Sequence, residues 1–141
     1  MVDEGRVARL LRGVEERLDR LDDAGGRLAG ASPDALPDAL LLDAVKYLFV
    51  TAIEGCVDVG HHVAASERWG APDTNAAAFT ALAEHGVIDT QLAARLGQAV
   101  GFRNVLVHQY AVVDDQRVMA YLEELGDLRA FVQQVSRWMT R

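Results

Sequence analysis

An all-α fold, a single-domain antiparallel bundle of about five helices, is what the sequence predicts, on three observations. Ala and Leu are abundant while aromatic residues make up only 6% of the 141 residues, a mixture that favours helices over a sheet. Half the residues are hydrophobic and a quarter are charged, the balance of a globular chain, long enough to bury roughly 70% of its unfolded surface in one core. Apolar residues then recur at three- and four-residue spacings, in blocks separated by Gly, Pro and Asp.

Each block predicts one helix. From about Asp3 to Ala29, Val7, Leu10, Leu11, Val14, Leu18 and Leu21 form an apolar stripe, and Arg and Glu fill the other face. Gly30-Ala31-Ser32-Pro33 is the first loop. A longer helix from about Pro37 to Arg68 carries Leu40, Leu41, Ala44, Leu48, Ile53, Val57 and Val63. It is apolar nearly all round, which places it at the centre of a bundle or at a subunit contact. Trp69-Gly70-Ala71-Pro72 ends it, and Asp73 or Thr74 can cap a short third helix to Glu84, stopped by His85-Gly86. Asp89 caps a fourth, from about Thr90 to His108. Asp114-Asp115 opens a fifth, carrying Val118, Leu122, Leu125, Leu128, Phe131, Val132, Val135 and Trp138. Short connections of this kind join antiparallel neighbours. No repeat or linker divides residues 1–141, so one domain is expected.

Several classes of function are excluded at this level. The N-terminal segment lacks a hydrophobic run followed by a small-residue cleavage site. The apolar stretch from Leu36 to Val63 is interrupted by Asp38, Asp43, Lys46, Glu54 and Asp58, so no membrane span is expected and the cytoplasm is the default compartment. A lone cysteine, Cys56, permits neither an internal disulfide nor a cysteine zinc cage, and its place among apolar residues predicts a buried, inert thiol. No phosphate-binding glycine loop or nucleophile elbow occurs. Adjacent His61 and His62 point about 100° apart on a helix and cannot easily share a metal ion. His62 does share a face with Asp58 at i, i+4, a pair that supports the helix or lines an interface. His85, at a helix end, suits the terminal dipole.

One strip does not look like ordinary core: Gly101-Phe102-Arg103-Asn104-Val105-Leu106-Val107-His108-Gln109-Tyr110. Arg103, Asn104, His108 and Tyr110 can donate, accept or titrate, whereas packing alone needs apolar residues. Singly, Arg103 could be a capping or ion-pair residue, His108 a satisfied helix-end histidine and Tyr110 a core-edge residue; their concentration argues for a site. Arg103 and His108, five residues apart, diverge by about 140° on a regular helix. Either the helix distorts near its end, or a second subunit completes the site, as a two-fold dimer would.

The pattern Arg-x4-His-x-Tyr, matched by Arg103, His108 and Tyr110 in RNVLVHQY, resembles the signature of HepT-type toxins of the HEPN superfamily. The preceding AAAFTALAEHGVIDTQLAARLGQAVGFRN is similar as well, and the resemblance extends from about Leu36 to Trp138. It implies a HEPN-like helical homodimer that cleaves RNA in the cleft between subunits, with no metal and no cofactor. It also implies a partner, an MNT-type nucleotidyltransferase antitoxin that neutralises the toxin by transferring AMP to the motif tyrosine, here Tyr110. A non-catalytic HEPN module that binds and serves such a nucleotidyltransferase is the alternative; intact Arg103 and His108 favour the enzyme.

The residue types suit the chemistry. Metal-free cleavage uses the neighbouring 2′-hydroxyl as nucleophile and needs a proton carrier and a cation. His108 fits the first role, since imidazole titrates near neutral pH. Arg103 fits the second, its planar fork holding phosphate oxygens. Asn104 could orient His108 or touch RNA, and Asp58 and His62 are further candidates for lining the cleft. The net charge of −7 argues against tight, non-specific nucleic-acid binding. A cleft needs only local positive charge, however, and 13 of the 14 basic residues are arginine, Lys46 being the one lysine.

Overall fold

The computed structural model describes residues 1–32, 38–109 and 112–141. Among them are six helices: α1 (Glu4–Ala29), α2 (Ala39–Ser66), α3 (Asn75–Glu84), α4 (Thr90–His108), α5 (Asp115–Leu122) and α6 (Gly126–Met139). Five begin on a polar side chain that accepts a hydrogen bond from the first turn: Asp3, Asp38, Thr74, Asp89 and Asp114. Of the two candidate caps for α3 it is Thr74, whose hydroxyl accepts from the Ala77 amide at 3.0 Å. Asp89 does more than cap α4. Its backbone N–H donates to Gln134 Oε1 and its carboxylate accepts from Gln134 Nε2, both at 2.8 Å, which fastens the start of α4 to α6.

The chain expected to form a fifth helix is two. Its apolar residues keep a helical spacing throughout, which is why it reads as one. The backbone turns at Glu123, Glu124 and Leu125, with three-residue bonds from Glu123 to Ala120 and from Glu124 to Tyr121. Gly126, the first residue of α6, weakens helix continuation there. The turn lets α5 lay Tyr121 flat on Phe102 of α4, ring centroids 3.9 Å apart, while α6 packs Leu128, Phe131, Val132 and Val135 into the core.

Helix α2 is the hub, touching each of the other five helices. This explains its nearly all-round apolar sequence, and twelve of its residues are buried. Phe49 meets Phe102 edge-on at 5.5 Å, and Phe79 meets Phe131 the same way at 5.7 Å. Helix α1 packs tightly on α2 at Gly55, where a Cβ would stand 2.7 Å from Val14 Cγ2. Cys56 is fully buried, and loss of solvent pushes its thiol above the ordinary range, so it stays protonated and inert. No helix among the described residues is long and apolar enough to cross a membrane.

Candidate active site

Helix α4 carries the site and its core face aims it. Phe102 and Leu106, one turn apart, are buried against α2 and α5. That anchoring leaves Arg103 on the side facing α2 and puts Asn104, Val107 and His108 at the surface. The Arg103 Nη2 donates to Glu54 Oε1 on α2 at 2.5 Å, and its Nη1 donates to Asn104 Oδ1 at 3.1 Å. The side chain is 22% exposed, and its Nε–H is buried without a partner. A guanidinium carries five N–H donors. Glu54 and Asn104 take two and Nε is enclosed, which leaves one N–H on each terminal nitrogen for an incoming oxygen. Arg103 is therefore a cation held in place with spare donors.

Helix α4 remains α-helical through His108, and the Gln109 amide closes the last turn on Val105 at 2.8 Å. The distortion that could have brought His108 round to Arg103 does not occur. The imidazole is exposed and diverges from Arg103 by the helical angle of about 140°. Tyr110 lies outside the described residues.

Asp58 lies one turn beyond Glu54 on α2, at the surface beside α1. Partial burial, then the Glu54 charge, raise its carboxyl above the usual range, while His61 and Arg6 pull the other way. The Asp58–His62 pair expected from the spacing is not bonded. The His62 Nε2 instead meets the Asp3 backbone N–H at 3.3 Å and Ser66 Oγ at 3.4 Å, tying α2 to the start of α1. His61 bonds Asn75 Oδ1 at 3.1 Å and ties α2 to α3. His85 caps α3, its Nδ1 2.9 Å from Ala81 O and its ring stacked on Trp69 at 3.9 Å. His61 and His62 hold helices together, and His85 caps its own helix against Trp69. Among the described residues no three His, Cys, Asp or Glu side chains are grouped to hold a metal ion.

Glu54 is the site residue that inspection of the sequence does not single out. In the sequence it is one of several charged residues that interrupt a largely apolar helix, and its partner lies 49 residues away.

Residues 14–135 match the family described as ribonuclease HepT-like. The chain belongs to that family. A relative from Shewanella oneidensis named mRNA nuclease HepT is 30% identical over 96 residues, 67% of this chain and 72% of its own length. Another, from Aphanizomenon flos-aquae and named tRNA nuclease HepT, is 28% identical over 87 residues, 61% of this chain and 59% of its own. Among solved structures, the tri-AMPylated Shewanella oneidensis HEPN toxin in complex with an MNT antitoxin superposes with a TM-score of 0.83 at 23% identity, over 97% of this chain and 99% of that one. The fold of this HepT-like chain is thus the HEPN toxin fold.

Proposed function

We propose that this HepT-like chain is the ribonuclease toxin of a toxin–antitoxin pair, cutting RNA without a metal in a cleft formed by two copies of itself. The observation that carries the reading is Arg103: a guanidinium fixed at two points by Glu54 and Asn104, with N–H donors left over, on the same helix end as an exposed histidine. The nuclease names of the family relatives support it.

Cleavage proceeds by attack of the 2′-oxygen on the adjacent phosphorus. The P–O5′ bond breaks, leaving a 2′,3′-cyclic phosphate and a 5′-hydroxyl. A proton leaves the 2′-oxygen and one is delivered to the 5′-oxygen; His108 carries protons in this exchange. Arg103 binds the non-bridging oxygens and stabilises the charge that grows on them. Asn104 and Glu54 are positioning residues that keep the guanidinium aimed.

Arg103 and His108 diverge on a straight helix, so a second copy supplies the missing partner across a two-fold axis. The surface fits that arrangement. Leu40 and Tyr47 share a face of α2 and are 81% and 67% exposed, and Val107 on α4 is 44% exposed between Arg103 and His108. Exposed large apolar side chains are what an interface buries. The partner in regulation is an MNT-type nucleotidyltransferase antitoxin, and Tyr110 is its adenylylation target, where AMP would add bulk and negative charge beside a phosphate site.

The test is cleavage of RNA by purified protein in EDTA, comparing wild type with Arg103→Ala and His108→Ala. Loss of a cyclic-phosphate product in both variants, with folding retained, is expected. Equal cleavage by all three would overturn the reading. No cleavage by any would favour the non-catalytic module. Intact-mass measurement after co-expression with the antitoxin should show added AMP that Tyr110→Phe abolishes.

A further inference from the structure

Beside Arg103 a groove of about 320 Å³ runs between α1 and α2. Arg9, Gly13 and Arg17 line it from α1, and Thr51, Glu54 and Asp58 from α2. The same Glu54 carboxylate holds Arg103, so the groove and the candidate site share that residue.

On the edge of α1 toward α6, Asp19 and Asp22 are both bound by Arg129. On the edge toward α2 stand Arg9 and Arg17, eight residues and about 12 Å apart along the helix. Neither is in an ion pair among the described residues; Arg17 Nη1 donates to the Gly13 carbonyl at 2.9 Å, which props its guanidinium over the groove. Of the two carboxylates on the opposite wall, Glu54 is neutralised by Arg103. Asp58 stands exposed farther along the same wall. The groove therefore presents the guanidinium groups of Arg9, which also acts on the Asp3 carboxylate, and Arg17, beside the Glu54 that holds Arg103.

We infer that the α1–α2 groove is a substrate-binding rail, in which Arg9 and Arg17 hold phosphates of the RNA strand flanking the bond presented to Arg103. This rests on the ribonuclease reading and adds to it a direction for the strand, away from the apolar surface of Leu40 and Tyr47 and toward the C-terminal half of α2. The ligand is the sugar–phosphate backbone, read without regard to base, because nothing aromatic lines the groove.

The experiment measures binding apart from cleavage. In a His108→Ala background, anisotropy of a fluorescent single-stranded RNA of about a dozen nucleotides is titrated over a range of salt. Arg9→Gln and Arg17→Gln are each expected to lower the slope of log K against log salt by about 0.7, and the double variant by about twice that. Arg12→Gln, on the same helix but outside the groove, serves as the control and keeps the slope. In the cleavage-competent protein the arginine variants should raise KM for the long strand several-fold more than for a dinucleotide, with kcat retained. An unchanged salt slope in the double variant, or an equal KM effect on both substrates, would overturn the rail while leaving the ribonuclease reading intact. Absence of cleavage by the wild type would overturn that reading instead.

Discussion

Arg103 is the residue on which the account turns, and its surroundings set what substitution should do. Arg103→Lys keeps the charge but loses the fork that reaches Glu54 and Asn104 together. It should lose about 10²–10³ in kcat, as removal of an electrostatic donor does, and Arg103→Ala at least as much. His108→Ala should cost about 10²–10⁴ in kcat, in the range of general acid–base catalysis. Glu54→Gln keeps shape and one acceptor but removes the charge that aims the guanidinium. Roughly a tenfold loss in kcat is expected, with KM for a dinucleotide little changed. A fall in melting temperature without that kinetic signature would assign Glu54 to structure alone. Titration adds two opposite signs. Asp89 is held below its ordinary value of 3.8 by the Leu92 N–H and Gln134, so its contribution is present above that pH and is lost on acidification through the lower folded value. Asp58 is shifted upward, so ionising it disfavours the fold as pH rises through its raised value. A stability curve on Asp58→Asn should be flatter on that side.

The helices show two solutions to the same ending. Helix α3 closes with Gly86 at φ 76°, the Val87 amide reaching back to Leu82 O at 2.9 Å. Helix α2 closes identically, Trp69 to Ala64 O at 2.9 Å, but the left-handed position is Arg68 at φ 60°. A side chain there costs about 1 kcal/mol or more, so Arg68→Gly should raise the thermal midpoint by a few degrees in a melting experiment. The opposite change at the α1–α2 contact should harm. Gly55→Ala brings a Cβ to 2.7 Å from Val14 and should destabilise by about 1–3 kcal/mol; pairing it with Val14→Ala should recover part of that loss. Four of the expected helices were legible from their apolar spacing, and caps were read there for α3 and α4: Asp89 and the run to His108 mark α4 at both ends. The α5–α6 turn was not, because Leu122, Leu125 and Leu128 keep helical spacing across it and only the stacking of Tyr121 on Phe102, a distant contact, reveals its purpose. For the site the limit is similar. Arg103, Asn104 and His108 are neighbours in sequence and could be read there, whereas Glu54, Arg9 and Arg17 join them only through packing.

At the scale of the whole molecule, one chain carries the parts of the proposed ribonuclease site without bringing them together. Arg103 faces α2, His108 faces solvent, and exposed Val107 lies between them, with Leu40 and Tyr47 forming an apolar face on α2. Two copies meeting on that surface would set Arg103 of one opposite His108 of the other. Tyr47→Glu should then weaken self-association in sedimentation and reduce RNA cleavage in parallel. The most direct test of the shared cleft mixes Arg103→Ala with His108→Ala protein under subunit exchange. Each variant alone should be inactive. The mixture should regain about a quarter of wild-type cleavage, because half the dimers are mixed and each holds one intact composite site. A mixture as inactive as its parts, with dimer exchange demonstrated, would contradict the account.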